Sequence, residues 1–474
     1  MNARRQFLVT VLVVALVVAA GVYLQRQVGP KALAEPVAGT ATSGAWFCPH
    51  GGGPQGTKDW RATLAVANPG SAPVHIRVTE IGSEKPAGTE ASVVSPGREV
   101  LMDVPADSPE ASTYVEYFGG WVSAGWVIRA QGAISGVGAE SCTPEADRTW
   151  TLADGDVSLP QGVKATEGND TDLVIMNPFA SDAALSVVLY ADQRSVTTKD
   201  LTDFVLPAMR SISIPLAKIV KGPEALGAQV RVSVGRVAAA TLSTSFTDGI
   251  RSTEGLPGPP PERTFLPAGT RHASIQLAIT APAPQGVTVS GTVHRRKDSQ
   301  PVADLNGEQQ QQGATSAAHE TSITGPSTYE ITASGGVASA VRTLAAGTSH
   351  DRASTSGSAV AAAAWVVPPA AASEPALPSI LLFDPGTKDA KVTLTAIPSD
   401  KGKAPKPATV TVPAGRSTSA PARFASAVAT SSVLVVSTGP PIVAASAAFS
   451  EGQHGVGGFA IATGVVDPVD GNNA

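Results

Sequence analysis

The stretch LAVANPGSAPVHIRV, residues 64–78, reads as strand, turn, strand, and the chain writes it twice more: LVIMNPFASDAALSVVL at 173–189 and ILLFDPGTKDAKVTL at 380–394. Each apolar run ends in an Asx-Pro pair: Asn68 and Pro69, Asn177 and Pro178, Asp384 and Pro385. Proline fixes φ and lacks a donor, so it stops the first strand, while the Asn or Asp before it bonds nearby backbone and shapes the turn. The alternating run that follows buries one face of a second strand.

Two further landmarks keep the same order. An aromatic strand opens each unit, at Trp46, Trp150, Phe265 and Trp365, spaced by 104, 115 and 100 residues. A Pro turn followed by arginine comes 27 to 29 residues after the Asx-Pro pair, with Arg98, Arg210 and Arg416. Strand, glycine turn and strand then close the unit, read in WVIRAQGAISGVG, VRVSVGRVAAATLS, YEITASGGVASAVR and LVVSTGPPIVAASA. Units near a hundred residues exceed solenoid and propeller periods and match a seven-stranded sandwich. The expected fold is all-β: tandem immunoglobulin-like β-sandwich modules after a single N-terminal transmembrane helix. The units span 46–149, 150–264, 265–364 and 365–474, the last with a C-terminal tail. The third departs from the pattern, with Pro282 and Pro284 in place of the Asx-Pro pair. Its residues 295–327, rich in Gln, Ser and Gly, read as a long mobile loop.

Composition agrees with this class. Among 474 residues, 15% are charged and 5% aromatic, and the apolar share leans on Ala and Val, which suit pleated sheets. A net charge of -5 offers no basic stripe for phosphate, which excludes nucleic acid as the expected partner. Residues 7–24, FLVTVLVVALVVAAGVYL, are uncharged and just long enough to span a bilayer, after a six-residue basic tail (1–6) and before a spacer (25–45). An uncleaved signal-anchor with an extracytoplasmic body is the expectation, and cleavage after the ALA that precedes Glu35 is the rival reading. Cys48 and Cys142, an even pair in an exported region, are expected to form a disulfide, against the alternative of two separate buried thiols.

The anchor, WFCP with the later Cys142, the ANPG strand pair, the Pro-Gly-Arg turn and the final glycine hairpins together resemble an actinobacterial family of uncharacterised membrane-anchored extracytoplasmic proteins, a domain of unknown function. The resemblance implies a cell-envelope location and carries over no catalytic residue. The rhythm also looks like immunoglobulin-like adhesion modules of bacterial surfaces.

Chemistry-bearing motifs are incomplete. HETSI at His319 lacks the second histidine of a zinc protease, GAISGVG around Ser135 is not followed by a helix, and GVGGFA from Gly455 has no βαβ unit behind it. The acids around Asp154 and Asp156, and those from Asn169 to Asp172, complete no EF-hand and read as solvated loop acids rather than calcium ligands. Arg98, Arg210 and Arg416 either face an anionic polymer or cover a sheet edge with their stems. Trp121 and Trp126 either stack on sugars or are buried, and their context favours burial. No catalytic, cofactor-binding or metal residue is assigned, and no cofactor is expected. The expected function is a non-enzymatic scaffold or binding protein of the cell envelope, held to the membrane by its N-terminal helix, with an envelope protein or glycan as partner. A polysaccharide-processing hydrolase using scattered Asp and Glu is the alternative.

Overall fold

In the first repeat, β1 (Ser43–Cys48), β2 (Trp60–Asn68), β3 (Val74–Ile81), β4 (Thr89–Val94), β5 (Arg98–Val104), β6 (Ser112–Phe118), β7 (Ser123–Ala130) and β8 (Gly136–Ser141) form two antiparallel sheets, ordered β1-β6-β3-β4 and β5-β2-β7-β8. The computed structural model describes residues 43–468 apart from 57, 85, 87, 160–163, 165–167, 192, 193, 224, 248, 270–272, 284, 306–308, 312, 313, 324, 346–351, 372–376 and 451–457. The expected cytoplasmic tail, transmembrane segment and nearly all of the spacer therefore lie outside the described residues, as does the end of the C-terminal tail. Among the described residues no helix is long and apolar enough to cross a membrane.

Alternation fixes which face each strand buries. In β3 the burial pattern turns Val74, Ile76 and Val78 inward and His75 and Arg77 outward. The inward set packs on Leu64 and Val66 of the other sheet, and Trp46 and Trp126 fill the space between. Trp46 is buried with its indole N–H donated to the Val122 carbonyl at 2.7 Å, which satisfies the one polar atom that burial would orphan.

The same two-sheet module recurs three times. Module 2 has β9 (Thr149–Gly155), β10 (Asp170–Asn177), β11 (Ala183–Ala191), β12 (Arg194–Val196), β13 (Phe204–Leu206), β14 (Arg210–Pro215), β15 (Leu226–Val234), β16 (Ala238–Ser245), β17 (Gly249–Glu254) and β18 (Leu256–Pro257), in sheets β12-β11-β15-β9-β18, with β13 on β11, and β14-β10-β16-β17. Module 3 has β19 (Arg263–Ala268), β20 (Ala273–Ala281), β21 (Val287–Arg295), β22 (Ser299–Pro301), β23 (Gln309–Gln311), β24 (Ala314–Ile323), β25 (Ser327–Ala333), β26 (Ala338–Ala345) and β27 (Arg352–Thr355), in sheets β19-β25-β21-β22, with β23 on β21, and β24-β20-β26-β27. Module 4 has β28 (Ala364–Val367), β29 (Leu377–Asp384), β30 (Ala390–Ile397), β31 (Ala408–Val412), β32 (Arg416–Ser419), β33 (Ser432–Ser437), β34 (Val443–Ser450), β35 (Gly458–Thr463) and β36 (Val465–Val466), in sheets β31-β30-β33-β28-β36 and β32-β29-β34-β35. Trp150 and Trp365 repeat the Trp46 bond, to Val237 and Ile442, each at 2.7 Å.

The modules close a ring. Their last long strands touch in a cycle, β8 to β17, β17 to β27, β27 to β35 and β35 back to β8. Small residues permit this approach: a Cβ on Gly136 would meet the Ile250 backbone nitrogen at 2.6 Å. Farther out, the strand that follows the Pro turn in one module meets the sixth main strand of the module before it. Ser211 of β14 bonds Ser112 of β6 at 2.9 Å, and Ser417 of β32 bonds Thr328 of β25 at 3.0 Å. Module 1 closes the circle onto module 4, where the Ser432 amide donates to Glu99 of β5 at 2.9 Å.

Three expectations need correction. The segment expected as a mobile loop carries β22, β23 and the ten-residue β24, paired along β20 from Ala281 to Ala273. Its polar composition hid a strand because a partner already aligned can impose extended backbone on residues of low β-propensity. The hairpin quoted for the first unit is one hairpin late: it is β7 with β8, whereas the other three are the sixth main connection, equivalent to β6 with β7. Both surround a glycine turn with apolar residues, so pattern alone does not separate them. In module 3 the aromatic landmark is one residue out of register, because Thr264 pairs with Ile331 where Trp46 pairs with Val115, and Phe265 stands where Phe47 does.

Candidate functional site

The repeated Asx residues are fasteners inside each module. Asn68 donates through Nδ2 to the carbonyls of Ala72 (2.8 Å) and Val94 (3.0 Å) and accepts from the Gly70 amide, so it ties the turn after Pro69 to the end of β4. Asn177 does the same with Ser181 and Leu206, and accepts from Phe179 after Pro178. Asp384 keeps the accepting half, from Gly386 at 2.7 Å, before the turn at Pro385. Its Oδ2 is buried without a partner, and burial raises its pKa.

Cys48 and Cys142 are joined, with Cα atoms 4.7 Å apart and a sequence separation of 94. His50, two residues on, is fully buried, with Nδ1 2.7 Å from the Gly51 carbonyl and Nε2 3.0 Å from the Thr113 hydroxyl. Burial lowers its pKa to about 4, which keeps it neutral. Trp121 and Trp126 are core residues. Arg98 reaches into module 4, to the carbonyls of Gly402 (2.9 Å) and Ser399 (3.3 Å), and Arg416 reaches Ser299 of module 3 at 2.6 Å. Arg210 bonds the neighbouring Met209 carbonyl.

The acids read as solvated are largely buried, and several lie at the module joints. Between modules 2 and 3, Asp154 accepts from Arg251 (3.2 Å), from Thr253 (2.7 Å) and from Arg342. Arg342 also donates to Gln276 and to the Gly155 carbonyl, and Arg352 to Asp156 at 3.3 Å. Burial alone would raise Asp154, but Arg251 and Arg342 outweigh it and hold its pKa near 2; Asp156 is lowered by the same balance. Asn169 bonds Asp156, and Asp170 caps the Ala217 amide. Asp172 is raised to about 6, chiefly by burial.

Where the four last strands meet, Glu140 gathers groups from every module. Its carboxyl accepts from the Ser141 amide of module 1 (3.1 Å), the Thr463 amide of module 4 (3.3 Å) and the Thr355 hydroxyl of module 3 (3.2 Å), with the backbone of Glu254 of module 2 as a further donor. Burial still pushes Glu140 up to about 8. Glu254 lies well above its usual range, through burial first and the charge of Glu140 second, and its Oε1 is shut from solvent without a partner. Glu99, at the joint of modules 1 and 4, is raised to about 7 by burial.

One surface cleft combines ring faces with charge. It lies where modules 1 and 2 join, with an open volume of about 590 Å³, and is lined among others by Phe47, Glu145, Asp147, Arg148, Phe179 and Arg236. Phe47 stacks on Tyr114 (5.5 Å, 7°) and leans on Phe179 (6.1 Å), and Arg236 lies 5.1 Å over the Phe179 ring. Sequence reasoning singled out none of these for binding, nor the partners in the ion network. WFCP put Phe47 in a core strand, and Phe179 lies in the turn after Asn177 and Pro178. Arg251 and Arg342 stood in apolar strands, where a buried charge is the legible anomaly.

Among the described residues no group of three or more His, Cys, Asp or Glu is placed to hold a metal ion. No curated protein matches the chain. A family model described as a family of unknown function (DUF5719) matches residues 116–423, from within β6 through modules 2 and 3 into the short helix Ala422–Ala427 of module 4. With more than half of its length matched, this ring of two-sheet modules belongs to the DUF5719 family, whose function is unknown.

Proposed function

We propose that the protein is a membrane-anchored, extracytoplasmic scaffold or binding protein of the bacterial cell envelope and not an enzyme. The observation that carries this reading is the use made of the buried polar groups. Glu99, Glu140, Asp154, Asp156 and Arg342 each fasten one module to another, where an enzyme would turn such groups toward a substrate. The disulfide supports an oxidising compartment, and the apolar segment 7–24 supports attachment. The modules are read as variants of the immunoglobulin-like sandwich. They share its pairing of second strand with fifth and third with sixth, and place the seventh beside the second instead of the sixth.

The hydrolase reading would centre on Glu140 and Glu254, two neighbouring carboxyls with raised pKa. Cross-linking in intact cells, followed by identification of the attached molecule, tests the choice together with the Glu140→Gln, Glu254→Gln double variant. A binding protein gives a constant partner and the double variant keeps the cellular phenotype. Loss of the phenotype with folding and partner intact supports the hydrolase.

A further inference from the structure

We propose that two exposed apolar rows, one on module 1 and one on module 2, lie against the lipid bilayer, a proposal that rests on the membrane-anchored reading and names the surface that meets the membrane. The alternation that buries Val74 and Ile76 should leave polar residues on the outer face of the sheet. At one end of module 1 it does not. Phe118 of β6 and Val93 of β4 flank His75 of β3 in direct cross-strand register, and all three are exposed, Phe118 at 46% and Val93 at 44%. Module 2 repeats the row: Ala184 of β11 stands where His75 does, between Val205 of β13 and Val234 of β15, each 59% exposed. Four of the eight large apolar side chains exposed among the described residues therefore fall at one pair of register positions in two successive modules. Single exposed apolar residues are ordinary, but a recurring row marks a contact surface. The fold itself does not require it, since the equivalent positions are Thr288 and Ser334 in module 3 and Lys391, Thr411 and Thr438 in module 4.

The entry point of the chain says what covers the rows. Ser43, the first residue of β1, pairs directly with Phe118. Residues 25–42, which join Ser43 to the apolar segment 7–24, reach at most about 65 Å even when fully extended. The end of module 1 that exposes Phe118 is thus the end tethered to the membrane, and a tether makes a few weak contacts effective by holding the local concentration high. Arg77 and Glu116, next on the same face, pair with one another, so the surface of module 1 offers no surplus charge there for anionic headgroups. Its chemistry is that of apolar side chains entering the boundary between headgroups and acyl chains, where burial removes their surface from water.

The test is fluorescence of the full-length protein reconstituted in phosphatidylcholine vesicles and labelled with an environment-sensitive dye at a single added thiol. The native cysteines are joined and take no label. Phe118→Cys and Val234→Cys probe the two rows, and Asp107→Cys, exposed at the opposite end of module 1, is the control. All three replace exposed side chains, so folding is preserved. The dye at Phe118 and at Val234 should shift to shorter wavelength on reconstitution and lose emission to a quencher carried on the lipid, while the dye at Asp107 does neither. Emission unchanged at either row, or an equal shift at the control, in protein that floats with the vesicles overturns the contact and leaves the anchor standing. Protein that does not float overturns the anchor reading and the contact with it. A shift that follows protein concentration and not lipid would identify a second copy of the chain as the occupant and overturn the lipid contact.

Discussion

Asp384 lacks the donor that Asn68 and Asn177 use at the same place in the repeat. Those amides bond the end of the strand before the Pro turn, at Val94 and Leu206, while Asp384 leaves a buried oxygen without a partner. An ionised carboxylate there is doubly unfavourable, for it is desolvated and has no proton to give. Asp384→Asn should therefore restore the missing bond and raise stability by about 1 kcal/mol at neutral pH, the net worth of one intramolecular hydrogen bond. Thermal unfolding of the two proteins checks this, and a lower midpoint in the variant would refute the assignment. In module 3 the corresponding pair is Ala281 and Ala314, where modules 1, 2 and 4 have Asx and Arg, so that module does without both the amide fastener and the arginine.

The strand pairs, the turns between them and the disulfide were legible because each depends on neighbours in sequence or on a count of two. Alternation in VHIRV named the inward residues of β3, and Asn-Pro named its turn. The joints were not legible. Glu99 and Ser432 are 333 residues apart, and Asp154 and Arg342 are 188 apart, so nothing local marks them as partners. A charged residue in an apolar strand tells only that some partner must exist. β24 shows the converse limit, since ATSAAHETSI has loop composition and becomes a strand only because β20 offers an open edge. At this scale the disulfide has a measurable share. It clamps the start of module 1 to its end, and replacing both cysteines by alanine should cost about 4 to 5 kcal/mol in the chain-entropy account, read by urea unfolding. A loss below about 1 kcal/mol would mean that β1 and the chain after β8 hold together without it.

For the whole molecule, the joints set opposite limits of pH. Glu99, Glu140 and Glu254 have folded pKa values raised above the ordinary carboxyl, so the folded state binds more protons than the unfolded one between about pH 4.5 and 8. Their contribution is complete below the unfolded pKa and is lost as pH rises through the raised folded values, about 7 for Glu99 and about 8 for Glu140, with Glu254 raised in the same direction. Asp154 and Asp156 run the other way: their contribution is present above the ordinary carboxylate pKa and is lost as pH falls through their lowered values, about 2 for Asp154. Stability should peak in mildly acid solution. Glu254→Gln should raise the unfolding midpoint at pH 8 and flatten its decline above neutrality, because it removes the acid whose ionisation the Glu140 charge opposes most. A variant with the same alkaline slope as the parent would place that sensitivity elsewhere.

The central claim is that four modules stand as one ring, with module 1 closed onto module 4 by Glu99, Arg98 and Glu140. Scanning calorimetry of the disulfide-intact chain tests it most directly, because a closed ring shares its joints among all four hydrophobic cores. The ring predicts a single transition whose calorimetric and van't Hoff enthalpies agree for the whole chain. Several separate transitions, or a calorimetric enthalpy several times the van't Hoff value, would show modules that unfold independently and would contradict it.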